Sequence, residues 1–410
     1  MMALLLYFIG DQVIEIRFVG SRITTMSVSN FVKNSVQALK SLRPDGKALF
    51  VTGNESADLD SCASSILNSF LFHSSIESKT WTGFRPDVVV PLINVPRDDF
   101  TIRQDVVHLM SEIGISSHSL FFRDDLERLT TENILPKTSC YSFLVDFNKL
   151  TPPLDEIFED RVVGILDHHE DEGLYKQSID KYGSNGSNVH KPRWIQKSGS
   201  CSSLVVKYWA ELLGQPLSEE VKLLALGPLL IDTSNMASKV EPVDQEVYEM
   251  LAPRESVQMF KTLKHYKTTL DGLSGTDILK KDYKQWGAGE NIGISSVPQS
   301  LEWICGQHKD FWADIKDRAK QLNVSIYGVM TSYSENDEFK RDLALLGTTE
   351  KAKDIINQFV KADGSELQLE PVSISGLSEH ASVFMQKNVA ASRKQVAPLL
   401  RQFVQKVTGK

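Results

Sequence analysis

Asp167, His168 and His169 follow the apolar run Arg161-Val162-Val163-Gly164-Ile165-Leu166, so a buried strand ends abruptly in a carboxylate and two imidazoles. Three further carboxylate clusters share this setting. Asp58 and Asp60 lie in the polar loop 53–61 after the apolar stretch Ala48–Thr52, Asp146 ends the apolar run 141–145, and Asp232 follows Leu229-Leu230-Ile231. Aspartates and histidines gathered from several segment ends are the ingredients of a two-metal site. In such sites two divalent cations ~3.5–4 Å apart share a bridging carboxylate and a water or hydroxide, lowering the water's pKa and offsetting charge on a phosphoryl oxygen. Mostly oxygen donors with one or two imidazoles favour Mn²⁺, Mg²⁺ or Co²⁺ over a sulfur-rich zinc site.

Each cluster taken alone has a blander reading. Adjacent histidines on a strand point to opposite faces, and an Asp-x-Asp loop is most often a turn or a helix cap. Asp98 and Asp99 read as a solvated turn, and the hydroxyl-rich stretch 199–203 as a helix cap rather than a nucleophile. Asp146 is harder to dismiss, because an unpaired carboxylate at the end of a central strand is costly. Repetition of the design four times is what carries the metal reading.

The elements that must position these groups follow from periodicity. Strands at Ala48–Thr52, 87–95 (with Pro91 near an edge or bulge) and 141–145 alternate with helices. One helix opens at Ser61, one runs from Thr101-x-x-Gln104 as a capping box through Ile113, one covers 204–213 and stops at Gly214, and one is capped by Ser218. This is a doubly wound, mainly parallel α/β sheet, whose ligands belong at the carboxyl ends of its strands. Residues 170–192 read as a surface loop. Pro253 and the charged run 261–267 mark a boundary, beyond which strands near 292–297, 324–331 and 343–345 alternate with helices near 311–322 and 351–359 as a smaller α/β domain.

A chain of 410 residues is too long for one core. The expected division is an extension over 1–25, a metal-binding catalytic domain over 26–250, a linker over 251–270 and a substrate-binding domain over 271–410. No apolar run approaches the ~20 residues of a membrane span. Cys62, Cys140, Cys201 and Cys305 show no C-x-x-C spacing and read as reduced thiols of an intracellular protein. A net charge of −8 argues against nucleic acid as a partner, though bound metals and a local basic patch still admit a polyanion. At the N-terminus Arg17 and Arg22 hint at a mitochondrial presequence while Asp11 and Glu15 oppose it, and Met26 reads as the natural start of the folded part.

The second domain carries the complementary charge. Residues 380–410 contain Lys387, Arg393, Lys394, Arg401, Lys406 and Lys410 and no acid. Ser392 with Gln395 forms a capping box that would set Arg393 and Lys394 in a helix's first turn, where cations are disfavoured unless an anion is held there. Pro398 would kink or delay that helix. A solvated basic face is an equal alternative, and for Lys280, Lys281 and Lys284 a surface role is at least as good.

Asp58-Leu59-Asp60-Ser61, Asp146, Asp167-His168-His169 and Asp232 resemble, in order, the four motifs of the DHH phosphoesterase superfamily. Asp282-Tyr283-Lys284 and Ser392-Arg393-Lys394-Gln395 resemble the second domain shared by family II inorganic pyrophosphatases and yeast-type cytosolic exopolyphosphatases. The resemblance covers roughly residues 48–405 and is nearest the exopolyphosphatase branch. It implies that Asp60, Asp146, His168 and Asp232 hold one divalent ion, and that Asn54, Asp58 and a bridging Asp146 hold a second. It further implies that His169 contacts phosphate or assists the leaving group, and that Lys284, Arg393 and Lys394 grip substrate phosphates. Pyrophosphatases carry histidine at the position of Asn54, and the harder amide oxygen should make that site weaker and more tolerant of Mg²⁺. The nuclease branch carries a Gly-Gly motif that this chain lacks.

The expectation is therefore a cytoplasmic, monomeric, two-domain exopolyphosphatase using Mn²⁺ or Mg²⁺, with Co²⁺ as a further option, and acting on inorganic polyphosphate. The alternative enzyme is a manganese-dependent pyrophosphatase. A catalytically weak interaction module is the alternative of another class, and six intact ligand candidates argue against it.

Overall fold

The stretch Ala48–Thr52 (β1) is buried along its whole length, as a strand covered on both faces must be. Its side chains alternate between two apolar layers: Leu49 and Val51 enter one, Ala48 and Phe50 the other. β1 lies in a six-stranded sheet with β2 (Val88–Ile93), β3 (Phe121–Phe122), β4 (Cys140–Val145), β5 (Val162–Asp167) and β6 (Arg193–Ile195). The strand order is β3-β2-β1-β4-β5-β6 and every pairing is parallel. The order reverses between β1 and β4, the switch point at which open α/β sheets bind ligands. Helices α1 (Val28–Lys40), α2 (Leu59–Glu77), α3 (Gln104–Glu112), α4 (Cys201–Leu213) and α5 (Glu219–Asp232) supply the first layer. Shorter helices at Arg123–Thr131, Leu154–Phe158 and Lys176–Tyr182 supply the second. Each fully buried Leu, Val or Phe in these layers contributes on the order of 1.5–3 kcal/mol.

This computed structural model describes residues 6–9, 12–15, 26–43, 45–182, 192–287, 290–362, 364–374, 377–378 and 380–409. The expected extension 1–25 lies largely outside them, apart from the antiparallel pair Leu6–Ile9 and Gln12–Glu15.

Several sequence expectations are corrected. Asp232 does not end a strand: Leu229-Leu230-Ile231 continue α5, so the fourth carboxylate stands at a helix C-terminus. The helix after β1 starts at Leu59 rather than Ser61, with Asp58 as its cap, so Asp58 and Asp60 do not alternate along an extended loop. The Thr101–Gln104 capping box is absent because the helix begins only at Gln104, with Arg103 at its N-cap, and the Gln104 amide donates instead to the Asp271 carbonyl at 2.7 Å. Part of the expected loop 170–192 is the helix Lys176–Tyr182. The expected linker contains α6 (Ser256–Thr268), whose Leu263 is buried in the first domain's core beside Leu109 and Leu226.

A second sheet has the order β11-β12-β10-β9-β8-β7, built from β7 (Tyr283–Gly287), β8 (Asn291–Val297), β9 (Ile326–Thr331), β10 (Asp342–Gly347), β11 (Leu369–Pro371) and β12 (Ala381–Gln386). Only β8 and β9 pair in parallel; the other pairings are antiparallel. Around it pack α7 (Gly275–Lys281), α8 (Phe311–Gln321), α9 (Glu350–Ala362) and α10 (Arg393–Thr408). The Ser392–Gln395 capping box is formed, and α10 runs unbroken past Pro398. Pro398 is exposed, and Val396, Ala397, Leu400, Phe403 and Val404 bury the opposite side, which offsets the lost backbone bond.

Candidate metal centre

At the switch point β1 delivers the turn Gly53-Asn54 and β4 delivers Asp146. A Cβ on Gly53 would lie 2.7 Å from that of Ser61, so glycine lets the first turn of α2 close over the end of β1. The Ser61 hydroxyl then donates to Asp146 Oδ2 at 2.5 Å. Asp146 adopts a left-handed backbone (φ 61°), a conformation a non-glycine residue holds at a cost of roughly 1 kcal/mol or more. Its N–H donates to the Leu166 carbonyl (3.1 Å) and to Cys201 Sγ (3.2 Å), and its carbonyl accepts from Asn54 Nδ2 (3.0 Å). These bonds hold the strain and turn the carboxylate into the site.

The two histidines follow the end of β5 and lie side by side, their ring centroids 4.6 Å apart. His168 Nδ1 lies 2.9 Å from the Ser198 carbonyl, leaving Nε2 facing Asp146 Oδ1 at 3.1 Å and Asp60 Oδ2 at 4.0 Å. His169 is more exposed, and its Nδ1 is fixed by Asp167 Oδ1 at 2.8 Å. Asp167 itself is fully buried and accepts from both histidine backbone N–H groups and from Asn148 Nδ2, so it orients His169 rather than facing the site.

Asp60, in the first turn of α2, is clasped by the N-terminus of α4. Cys201 N–H donates to Oδ2 (2.6 Å), while Ser202 N–H and the Ser64 hydroxyl donate to Oδ1 (each 3.0 Å). Asp58 caps α2 through the Ser61 N–H (3.1 Å), so its structural role as a cap coexists with its place in the site. Asp232 stands where the helix dipole disfavours a negative charge.

Asn54, Asp58, Asp60, Asp146, His168, His169 and Asp232 all line one depression of about 390 Å³. Burial, together with the charges of Asp146 and Asp232, pushes the Asp60 carboxyl well up. Burial likewise raises Asp146, and raises Asp232 to about 7. Burial alone would lower His168, but its bond to Asp146 and the nearby Asp60 charge lift it to about 10. The bond that His169 donates to the Asp167 carboxylate raises His169. Among the described residues no lysine or arginine forms an ion pair with Asp60, Asp146 or Asp232. Ligand atoms of Asp146, His168 and His169 lie within 4.8 Å of one another. A crowd of buried acids around an imidazole whose far nitrogen meets a carbonyl fits divalent cations.

The phosphate-binding candidates are placed elsewhere. Lys284 is exposed on β7 and Lys394 is exposed in the first turn of α10. Arg393 is held by the Asp282 carboxylate (2.6 Å) and the Asp282 carbonyl (2.6 Å). None of the three lines the acidic depression. Lys280 and Lys281, read as surface residues, cross instead to the first domain: Lys280 pairs with Asp99 at 2.8 Å, and Lys281 donates to the Ile102 carbonyl at 3.0 Å. Asp99 is thus no solvated turn. Sequence reasoning missed Ser61, Asn148, Cys201 and Ser202 as supports, and Lys197 and Lys239 on the rim. Adjacency to Asp60 could have flagged Ser61; nothing local marks the others.

Residues 261–403 match the DHHA2 domain family. A candidate exopolyphosphatase of Schizosaccharomyces pombe is 32% identical over 94% of this chain and 100% of that protein. Exopolyphosphatase PRUNE1 of Rattus norvegicus is 25% identical over 92% of this chain and 79% of its own length. Among solved structures, a candidate family II inorganic pyrophosphatase of Methanococcus jannaschii aligns with TM-score 0.47 and 14% identity over 87% of this chain and 99% of that one, too distant for an argument about chemistry.

Proposed function

This chain belongs to the exopolyphosphatase family, and on that premise we propose that it is a metal-dependent exopolyphosphatase removing orthophosphate from the end of inorganic polyphosphate. The observation that carries the reading is the acid cluster at the switch point, in which buried Asp60 and Asp146 face His168, half-buried Asp232 lines the same depression, and no lysine or arginine is paired to them among the described residues. Asp60, Asp146, His168 and Asp232 would hold one divalent ion, and Asn54, Asp58 and the shared Asp146 a second, as Mn²⁺, Mg²⁺ or Co²⁺. When bound, the ions supply Lewis acidity that activates water and offsets charge on the terminal phosphoryl group.

The chain's own residues do the rest. Ser61 and Asn54 fix the Asp146 carboxylate, and the α4 N-terminus fixes Asp60. His169, tethered at Nδ1 by Asp167 and lining the depression, leaves its Nε2 to give a proton to a phosphoryl or leaving oxygen. Hydrolysis of the terminal anhydride then yields orthophosphate and a chain one unit shorter. Arg393 is assigned to a substrate phosphate, which must replace Asp282 as its partner. The four free thiols fit a cytoplasmic protein, and the acidic net charge fits one that acts without nucleic acid; a monomer is the assembly proposed.

The test is colorimetric phosphate release from long polyphosphate with added Mn²⁺ or Mg²⁺. Release that a chelator abolishes and Asp146→Asn removes, with circular dichroism unchanged, is expected. No release with either metal overturns the reading.

A further inference from the structure

We propose that Asp244 is a positioning residue for the metal centre, gripping the Ser198–Gly199 peptide so that its carbonyl fixes the His168 ring. The inference deepens the exopolyphosphatase reading and rests on it for the place of His168 among the metal ligands. Asp244 is not on the wall of the acidic depression. It is fully buried behind that wall, in the first turn of the helix Pro242–Leu251. Its Oδ2 accepts from the Gly199 N–H at 2.6 Å and from the Glu241 N–H at 2.8 Å.

The Gly199 N–H and the Ser198 carbonyl belong to one planar trans peptide unit and point from opposite edges of it. Asp244 holds one edge, and His168 Nδ1 meets the other at 2.9 Å. The series of carboxylate, peptide and imidazole ends at Nε2, the nitrogen that faces Asp146 and Asp60. A metal-ligating histidine commonly gives its second N–H to a carboxylate or a carbonyl, which fixes the tautomer and raises the basicity of the ligating nitrogen. Here the two kinds of acceptor act in series: the carboxylate on the N–H edge polarises the carbonyl on the other.

The surroundings set the place of this peptide. A Cβ on Gly199 would lie 2.5 Å from Thr233 Cγ2 and 2.7 Å from the Lys239 carbonyl, so glycine lets the unit sit this deep. Lys197 pairs with Glu241 at 2.6 Å, tying the same loop to the start of the same helix. Cys201 and Ser202, which follow, give their N–H groups to Asp60, so one anchored loop serves two ligand candidates. Reaching back to Glu241 also makes Asp244 part of its own helix's cap. That role needs no contact with Gly199, 45 positions away.

Asp244→Asn keeps an oxygen for both N–H groups and removes the charge, whereas Asp244→Ala removes the acceptor. In metal-free, full-length protein labelled at histidine, the His168 Nδ1–H resonance is identified by its absence from His168→Gln. While bonded to the Ser198 carbonyl it lies far downfield. It should move upfield in Asp244→Asn and be lost to solvent exchange in Asp244→Ala. Calorimetric titration with Mn²⁺ should show binding about ten-fold weaker in Asp244→Ala, the lower end of the range for a ligand's supporting partner, with Asp244→Asn in between. Should Asp244→Ala fail to fold, Asp244→Asn carries both measurements. Gln245→Gly separates positioning from capping, because it weakens the same helix at an exposed residue and leaves the peptide untouched. It should lower the thermal midpoint while keeping the wild-type resonance and Mn²⁺ affinity. An unmoved resonance or wild-type Mn²⁺ affinity in the Asp244 variants overturns the proposal, and so do equal changes in Gln245→Gly. Should wild type bind no divalent cation, the functional reading fails separately, and the resonance alone decides the hold of Asp244 on His168: a shift sustains it and an unmoved line overturns it.

Discussion

Asn54 turns its amide nitrogen, not its oxygen, toward Asp146: Nδ2 donates to Oδ2 over 2.9 Å, while Oδ1 accepts from the Ser56 backbone (2.9 Å) and hydroxyl (2.5 Å). An ion ligated here must draw the oxygen away from Ser56 and cost Asp146 a donor. Asn54→His removes that conflict and supplies a softer nitrogen, so binding of Mn²⁺ and Co²⁺ should tighten more than that of Mg²⁺. Metal titrations of both proteins check this. Superimposable curves would leave Asn54 as a hydrogen-bond donor to Asp146 and not a ligand.

Ser61 donates to the same carboxylate oxygen as Asn54. Ser61→Ala deletes the 2.5 Å bond to Asp146 Oδ2 while adding no bulk beside Gly53. Losing such a support typically costs 10–100-fold in metal affinity or activity. The affinity should fall by roughly that factor with the thermal midpoint of the metal-free protein little changed. Undiminished affinity would mean that the left-handed backbone alone aims Asp146.

The raised acids and imidazole make the metal-free protein pH-sensitive in one direction. Between the ordinary carboxylate range and about 7, native Asp232 keeps a proton that the unfolded chain has released. His168 does the same between its ordinary value and about 10. In both windows the native state binds more protons, so stability falls as pH rises. The midpoint of the metal-free protein should decline from pH 5 to pH 9. Metal affinity should climb over the same span, because ligation displaces those protons. Scanning calorimetry in chelator, and again with Mn²⁺, would reveal it. A metal-free midpoint that rises with pH would contradict the assigned protonation.

Sequence alone revealed β1, β4 and β5 closely, because buried parallel strands are continuous apolar runs bounded by polar residues. It misplaced Asp232, since three apolar residues before a carboxylate look alike at the end of a strand or of a helix, and only the packing of α5 decides. It gathered the ligand candidates because each closes an apolar segment. The supports distant in sequence were invisible for a different reason. Cys201 and Ser202 meet Asp60 across 141 and 142 positions of chain, and no local pattern encodes such a contact. The basic residues at 280 and 281 looked like surface lysines because their partners, Asp99 and the Ile102 carbonyl, belong to another domain.

Arg393 offers a kinetic test of the second domain's role. Its guanidinium is prepaired with Asp282, so substrate must compete for it. Arg393→Lys loses bidentate geometry and Arg393→Ala the charge, so KM should rise in that order while metal affinity holds. Wild-type kinetics in Arg393→Ala would reduce the pair with Asp282 to a structural contact within the domain.

Substrate length separates the two enzyme readings that share this site. A pyrophosphatase must enclose both phosphates, whereas an exopolyphosphatase must leave the leaving-group side open. Beyond the acidic depression the chain places Arg103, Lys267 and Lys281 around an open interdomain cavity, more cations than one departing phosphate needs. On the exopolyphosphatase reading, the additional phosphates of a long substrate should meet that positive charge, and pyrophosphate should gain less from it. Binding through exposed cations weakens steeply with salt, so the advantage of long chains should shrink as ionic strength rises. Long polyphosphate is therefore expected to be shortened from its end, with orthophosphate appearing and no early medium-length fragments, and pyrophosphate should be a poor substrate. Comparing kcat/KM for the two at matched metal, with gel analysis of the intermediates, decides the matter. Faster turnover of pyrophosphate would make the pyrophosphatase reading the better one.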